Sequence, residues 1–174
     1  MTVATATPTS VSAGDWTLDA GSDEVSAVVA PDDDDTSKVQ SLNVIGSYQT
    51  YACSVPGITA GAIVSQVVVY ARVKRALSSD VNFTIGYSFA INGGGTQSGT
   101  SGTLTATSAW ANQSYTHGSL SVAWGGSFTI TATVTHARYM EMTTFYAEVT
   151  YTPAGTVNPV TSKLLLGVTL GGKL

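Results

Sequence analysis

Alternation of apolar and polar residues is the feature that most constrains the fold of this chain. Residues 81–91, VNFTIGYSFAI, alternate without a break, and the apolar positions are Val81, Phe83, Ile85, Tyr87, Phe89 and Ile91. Successive side chains of a strand point to opposite faces, whereas a helix needs apolar residues at spacings of three and four. The segment therefore predicts a strand of an antiparallel sheet that is buried on one face.

Three more segments show the same period of two. Their predicted inner positions are Ile63, Val67, Val69, Ala71 and Val73 in AIVSQVVVYARVKRAL, Phe128, Ile130, Ala132 and Val134 in SFTITATVTHARYM, and Phe145, Ala147, Val149 and Tyr151 in TFYAEVTYTP. With the shorter segments between them they give about eight strands, separated by turn signals and without a helix longer than a turn or two. This pattern predicts an all-β fold, either an antiparallel two-sheet β-sandwich or a closed barrel.

The chain divides into three predicted segments. Residues 1–14 hold Thr, Ala, Ser and Pro without periodicity and predict an extended N-terminal arm. Residues 15–153 predict the β-sandwich domain, because 174 residues suffice for one domain with a core. Residues 154–174 contain LLLGVTL, an aggregation hazard if exposed, and predict a C-terminal arm or extra strand that docks on a neighbour. The alternative is that both ends fold back on their own sandwich.

Low charge limits the classes of partner. Only 10 % of the residues are charged and the formal net charge is -4. Binding to nucleic acid needs clustered Lys and Arg, and only Arg72, Lys74 and Arg75 cluster, so we expect no nucleic-acid partner. No uninterrupted apolar stretch approaches the ~20 residues that cross a membrane. The N-terminus lacks the basic and apolar regions of a signal peptide, so we expect a cytoplasmic product without a membrane partner.

A run of four aspartates, Asp32–Asp35, follows Pro31 in a region that holds most of the acidic residues. Calcium-binding loops space their ligands at alternate positions around a glycine, and this run does not. Aspartates tolerate turn geometry, and Pro31 fixes a bend, so a solvated turn is the favoured interpretation. We predict no metal site, with calcium at Asp32–Asp35 as the alternative.

The sequence also gives little indication of a zinc site or a cofactor site. His117 and His136 have no Cys or His at the spacing of zinc ligands. The single cysteine, Cys53, alternates with Tyr51 and Val55 as a small buried residue would. The glycine-rich stretch NGGGTQSGTSG lacks the lysine of a phosphate-binding loop. We therefore predict no cofactor.

The candidates for catalysis and for sugar binding are few. Glu141 and Glu148, on neighbouring predicted strands, are the only candidates for the paired carboxylates of a glycosidase. No other feature supports catalysis, so we predict no catalytic residues and no enzyme. Four aromatic residues could form a sugar-binding platform, although core packing is the favoured interpretation: Trp110, Tyr115, Trp124 and Tyr139.

The outward faces of the predicted strands are rich in threonine and nearly uncharged. One strand carries Thr129, Thr131, Thr133 and Thr135 on its outer side. Soluble monomers usually protect their sheets with Lys and Glu. A surface with so little charge favours coverage by a neighbouring subunit, and hence an architectural role.

The order of several motifs resembles a β-sandwich family that is widespread among tailed-bacteriophage virion proteins. GDWTLDAGSDEVSAVVAPDDDDTSKVQS is similar to the Gly-Trp start, the acidic segment and the Pro-Asp-Asp-Asp-Thr stretch of that family. VVVYARVKRA matches its Val-rich strand with a basic end, and SAWANQSYTHGSL matches its Trp-containing segment. The resemblance covers residues 14–152. It is broken at Ser37, Lys38 and Val39, where the family often has Tyr-Ile.

The resemblance implies a jelly-roll-like sandwich that decorates or joins parts of a virion without catalysis. The expected function is that of a capsid decoration or cement protein, which bridges capsid subunits through its β-surface and terminal arms. Expected partners are the major capsid protein, other virion proteins and further copies of the chain, for example in a trimer. The expected location is the capsid surface of a virion assembled in the host cytoplasm.

Two alternatives to capsid decoration stay open. The first keeps the virion and makes the chain a tail, fibre or head-tail component. The second is a carbohydrate-binding β-sandwich module that reads glycans through Trp110, Trp124 or Tyr139.

Overall fold

The structure, a computed structural model, describes residues 1–29, 37–75, 84–92, 97–100 and 109–155. Its elements are β1 (Thr2–Gly14), β2 (Thr17–Ala20), α1 (Ser26–Val29), β3 (Lys38–Gln40), β4 (Tyr48–Ser54), β5 (Ile63–Arg75), β6 (Ile85–Ile91), β7 (Gln97–Thr100), β8 (Ala111–His117), β9 (Val122–Ala123), β10 (Phe128–Val134) and β11 (Met140–Thr152). All pairings between these strands are antiparallel. The predicted all-β antiparallel class is confirmed, although the described residues contain eleven strands rather than eight. The additional ones include β2, β3 and β9, which are too short for alternation to reveal them.

The strands form two sheets that share β1. Sheet A places β11 and β5 at its centre, with β8 and β9 beside β5 and with β3 and the first half of β1 beside β11. Sheet B runs from the second half of β1 through β4, β10 and β6 to β7. Aromatic side chains join the two sheets, since the Phe145 ring of sheet A lies 5.9 Å from Tyr51 and 6.1 Å from Tyr87 of sheet B. The architecture is a β-sandwich.

The alternation in sequence decides which residues enter the core. The predicted inner residues of β6, β10 and β11 are buried: Ile85, Tyr87, Phe89, Ile91, Phe128, Ile130, Ala132, Val134, Phe145, Ala147, Val149 and Tyr151. Burying a large apolar side chain contributes about 1.5–3 kcal/mol, so these alternating faces hold the sandwich together.

Two β-bulges change the side of the sheet on which later residues lie. In β5 the extra residue is Ser65, whose Oγ donates to the Thr150 carbonyl at 3.2 Å. The prediction that Ile63 faces inward is therefore wrong: Ile63 is 40 % exposed, and Val64 is buried in its place. In β11 the extra residue is Thr143, because Met142 pairs with Val73 and Thr144 pairs with Arg72. A bulge adds one residue to one strand and so reverses the alternation beyond it.

Residues 1–14 differ from the extended arm that the sequence predicts. Residues 2–6 of β1 pair with residues 147–151 of β11, and residues 7–14 pair with residues 49–54 of β4. Ala4 and Ala6 are buried in the core. The weak periodicity has a physical cause: β1 crosses from one sheet to the other, with register shifts between Pro8 and Ser10 and between Val11 and Ala13.

Several predicted features lie outside the described residues. They are the aspartates Asp32–Asp35, the strand positions Val81 and Phe83, most of the glycine-rich stretch, and residues 156–174 with their LLLGVTL motif. In the described part of the chain, no helix has the length and hydropathy to span a bilayer.

Candidate functional site

A stacked pair of tyrosines stands on the outer face of sheet A. Tyr70 of β5 is the direct cross-strand partner of Tyr146 of β11. Their ring centroids are 4.8 Å apart and their planes differ by 12°. Both strands bury their alternate residues, so the alternation itself turns Tyr70 and Tyr146 outward, and both rings are half-buried.

A carboxylate orients the pair. The Tyr70 hydroxyl donates a hydrogen bond to Oε2 of Glu148 at 3.0 Å. Burial, this hydrogen bond and the charge of Glu148 raise the pKa of the Tyr70 phenol above its ordinary value. Burial and the same charge raise the pKa of the Tyr146 phenol. Both hydroxyls therefore keep their protons at neutral pH, and each can donate a hydrogen bond.

The tyrosine pair borders a depression of about 390 Å³ on the side of β8. We call it the first depression, and its lining residues are Tyr70, Ala71, Arg72, Asn112, Gln113, Ser114, Thr144 and Tyr146. Asn112 and Ser114 lie on the exposed side of β8, opposite Arg72 and Tyr70 in register. The lining combines two aromatic rings with amide, hydroxyl and guanidinium groups, so this surface offers ring contact and hydrogen bonds side by side.

A second depression of about 210 Å³ lies on the side of β1. It is lined by Thr5, Thr7, Val29, Thr144 and Tyr146, so it shares Thr144 and Tyr146 with the first depression.

Helix α1 brings Val29 to the second depression. Oδ1 of Asp23 accepts hydrogen bonds from the backbone N–H groups of Val25 at 3.0 Å and Ser26 at 2.9 Å. These bonds lower the pKa of Asp23, with Ser26 the largest cause, and they satisfy donors that the first turn leaves unpaired. Val28 is fully buried, which anchors the helix against the sandwich and fixes the position of Val29.

A group of charges lies at the far end of the same face. Nζ of Lys38 is 3.1 Å from Asp19 and 3.2 Å from Glu141, and Nζ of Lys74 is 3.1 Å from Glu141. Burial lowers the pKa of Lys38, but hydrogen bonds to Asp19 and Glu141 outweigh it and the net pKa is raised. The carboxylate of Glu141 thereby joins β3, β5 and β11.

Trp110 packs against two basic residues of β5. The Arg72 guanidinium lies 5.1 Å from the Trp110 ring centroid, and the Lys74 ammonium lies 4.6 Å from it. Both are cation–π distances. Trp110 therefore helps to place Arg72 at the edge of the first depression.

The other aromatic residues named from sequence do not assemble into a platform with Trp110. Trp124 is 6 % exposed and packs on Phe128 at 6.4 Å. Tyr115 faces the core side of β8, and its hydroxyl lies 3.5 Å from Nδ1 of His117. Tyr139 is 36 % exposed, outside both depressions. Core packing is thus confirmed for Trp124.

The two glutamates considered for catalysis lie on one strand, β11, and not on neighbouring strands. The bulge at Thr143 turns both outward, but seven positions at about 3.3 Å each separate them by roughly 20 Å. Paired glycosidase carboxylates lie about 5–10 Å apart. Glu141 and Glu148 therefore do not form such a pair.

The two histidines and the cysteine considered from the sequence contact other side chains of the sandwich. The His117 ring packs edge-on against Phe89 at 5.6 Å, and His136 lies 3.0 Å from the Thr135 hydroxyl. Cys53, predicted as a small buried residue, is only partly buried and packs against the core, and burial raises the pKa of its thiol to about 12. Within the residues that the structure describes, no three His, Cys, Asp or Glu side chains are grouped to hold a metal ion.

Sequence reasoning missed the Tyr70–Tyr146 pair. Alternation along each strand predicts that Tyr70 faces outward. It also predicts that Tyr146, which follows the inner residue Phe145, faces outward. What alternation does not give is the neighbour of each strand. The two residues become partners only through the pairing of β5 with β11 and its two bulges.

Comparisons with known proteins agree on the fold. No family model and no curated protein matches the chain. The arabinose-bound structure of the MgGH51 α-L-arabinofuranosidase matches with a TM-score of 0.51 and 10% identity, covering 83% of this chain and 23% of that one. This chain therefore spans about a quarter of that protein.

Two carbohydrate-binding modules align over most of the chain. CBM35 from Cellvibrio japonicus Abf62 has a TM-score of 0.47 and 17% identity, covering 88% of this chain and 100% of that one. The CBM22-1 xylan-binding domain from Paenibacillus barcinonensis Xyn10C has a TM-score of 0.46 and 15% identity, covering 87% and 94%. The β-sandwich architecture of this chain follows from its own strand pairings rather than from these two likenesses.

Proposed function

We propose that this chain is a non-catalytic carbohydrate-binding module that takes a glycan on the outer face of sheet A. The observation that carries the proposal is the stacked pair Tyr70–Tyr146 at the edge of a polar-lined depression. A sugar ring presents an apolar C–H face together with a rim of hydroxyl groups. It is held by an aromatic surface with hydrogen-bonding groups around it.

The lining supplies both kinds of contact. Tyr70 and Tyr146 provide ring surface, while Arg72, Asn112 and Ser114 provide donors and acceptors at the margin. Glu148 adds an acceptor beside the Tyr70 hydroxyl. The volume of about 390 Å³ falls within the range of about 300–1,000 Å³ that is usual for ligand sites. The fold alone does not determine function, so the proposal rests on this face.

Calorimetric titration with linear hexasaccharides tests the proposal. The panel contains xylohexaose, cellohexaose, mannohexaose, chitohexaose and a hyaluronan hexasaccharide, so that neutral, acetylated and acidic chains are all sampled. We expect the full chain to bind at least one of them. For that glycan, Tyr70→Ala and Tyr146→Ala should each weaken affinity about tenfold or more, because truncating a central aromatic anchor removes most of its contact.

Two control variants make the test specific. Tyr146→Phe keeps the ring and loses only the hydroxyl, so its affinity should stay close to that of the wild type. Tyr48→Ala removes a tyrosine that is 41 % exposed on β4 of sheet B, and it should leave binding unchanged. Absence of binding across the panel, or equal losses in Tyr48→Ala and Tyr146→Ala, would contradict the proposal.

A second candidate function, a structural protein of a tailed-phage virion, is favoured by the chemistry of sheet B. The strands β1, β4, β6, β7 and β10 contain no Asp, Glu, Lys, Arg or His. Hydroxyl pairs cover part of the outer face, with Thr50 and Thr131 at 2.8 Å and Thr84 and Thr135 at 2.9 Å. An uncharged β-surface can be buried against a partner without desolvating ions.

In this second candidate the chain would bind the major capsid protein or another virion protein. Stable attachment would bury about 1,600 Å², and many copies on one lattice would add avidity. Titrating the purified chain onto undecorated capsids and imaging the product tests it. Ordered density on the capsid would support decoration, and no attachment at micromolar concentration would reject it.

A further inference from the structure

Two open depressions lie on opposite sides of the tyrosine pair. The first measures about 390 Å³ and the second about 210 Å³, and Thr144 and Tyr146 line both. The two depressions are therefore adjacent, and a single ligand could fill both of them at once. A site for one terminal sugar would need only one of them.

The geometry of the pair gives each depression its own ring face. The centroid distance of 4.8 Å equals the spacing of adjacent strands, so the rings stand side by side across the β5–β11 ladder. Each ring covers one face of the other and leaves its second face free. The free face of Tyr70 is on the β8 side, and that of Tyr146 is on the β1 side.

The separation of the two free faces sets the length of the ligand. A sugar in van der Waals contact with a ring lies about 4 Å from it, so two such sugars would be roughly 13 Å apart across the pair. That distance exceeds one pyranose ring, so a linear chain that reaches both faces needs at least one further residue between them. This middle residue would pass over the upper edges of Tyr70 and Tyr146.

The two ends of the site differ in chemistry. Arg72, Asn112 and Ser114 make the first depression rich in hydrogen-bonding groups. In the second depression, Thr5 and Thr7 offer hydroxyls beside the apolar Val29. The first depression is therefore suited to orient a sugar, and the second adds contact area without demanding a particular pattern of hydroxyls.

We infer that the site takes an internal run of a linear glycan, about three linked sugars or more, laid across the strands from β8 over the tyrosine pair to β1. This inference rests on the proposed function and adds to it the length, direction and subsites of the ligand. It also assigns Thr5, Thr7 and Val29 to ligand binding, which neither the alternation nor the fold does.

The length dependence of affinity tests the inference. For the hexasaccharide that binds best, the disaccharide and tetrasaccharide of the same series are titrated against the full chain. We expect affinity to rise at least tenfold from disaccharide to hexasaccharide. The double variant Thr5→Met/Thr7→Met, which puts two long uncharged side chains into the second depression, should lower hexasaccharide affinity about tenfold and leave disaccharide affinity within about twofold.

The matched control is Val3→Met/Val11→Met, which makes the same kind of change at two exposed positions of β1 outside the depression. It should alter neither affinity. Equal affinity for disaccharide and hexasaccharide, or full hexasaccharide affinity in Thr5→Met/Thr7→Met, would overturn the inference while leaving glycan binding itself intact. Absence of binding by every oligosaccharide would overturn the proposed function and this inference together.

Discussion

Trp124 and Tyr146 are both large aromatic residues, yet their surroundings give them different roles. Trp124 is 6 % exposed and stacks into the core on Phe128. Tyr146 is half-buried, with one ring face against Tyr70 and the other along the second depression. Composition cannot separate the two residues. What distinguishes them is the position of each residue relative to its nearest inward-facing neighbours.

Two buried tyrosines and the partly buried Cys53 make the stability of the fold decrease at alkaline pH. Burial raises the pKa of Cys53 from 9.0 to about 12, and burial raises the pKa of Tyr51 and of Tyr87 well above 10.0. Because the pKa values are higher in the folded state, the unfolded chain loses these protons at a lower pH than the folded chain does. The stability that they contribute is fully present below pH 9 and is lost as pH rises toward the folded-state values.

We therefore expect urea unfolding midpoints to be constant between pH 7 and about pH 8.5 and to fall steadily above it. In Cys53→Ala the decline should begin later, near the pKa of tyrosine, because the thiol no longer contributes. A midpoint that stays flat to pH 11, or a decline that Cys53→Ala leaves unchanged, would show that these groups are not buried as described.

At the scale of elements, period two predicted the inner residues of β6, β10 and β11 well, while a bulge limited the prediction for β5. Every predicted inner residue of β10 is buried, because that strand pairs without a register shift on either side. In β5 the extra residue Ser65 turns Ile63 outward. A bulge is set by pairing with a distant strand, so no local pattern reveals it.

The N-terminal strand shows a second limit of the sequence. β1 has neither alternation throughout nor a uniform partner, because its two halves pair with β11 and β4. Its residues are small, and only Ala4, Ala6 and Pro8 are buried. A strand that changes sheets halfway looks aperiodic, which is why the sequence predicts an arm at this position.

The ion cluster provides a test of how β3, β5 and β11 are held together. Glu141 is 5 % exposed and lies between the ammonium groups of Lys38 and Lys74. Glu141→Ala should lower the free energy of unfolding by about 3 kcal/mol, because it leaves two partly buried cations without that partner. Glu148→Ala, on the same strand but half-buried, should cost about 1 kcal/mol. Equal losses in urea unfolding would contradict the structural role of Glu141.

At the scale of the whole molecule, charge divides the two sheets. The described ion pairs and cation–π contacts all lie on sheet A, where Lys38, Lys74 and Arg72 surround Glu141 and Trp110. The strands of sheet B contain no Asp, Glu, Lys, Arg or His. The outer face of sheet A thus offers varied polar contacts to a small ligand, and that of sheet B offers a uniform surface.

The sequence predicted the sandwich because burial in strands follows a local rule. It did not predict the site, because the site joins residues of β1, α1, β5, β8 and β11 that lie far apart in the chain. Tyr70 and Tyr146 were visible as outward residues, but their contact depends on pairing across 76 positions of sequence, from 70 to 146. Such contacts follow from topology rather than from composition.

Chemical-shift mapping tests the central claim most directly. The hexasaccharide that binds best is added to the 15N-labelled full chain, and the shifts of backbone amides are followed. Shifts should concentrate on β5, β8 and β11 around Tyr70, Ser114 and Tyr146, and the amides of β4 and β10 should not move. Shifts centred on β4 and β10, or no saturable shifts on sheet A, would contradict the assignment of this face as the glycan-binding site.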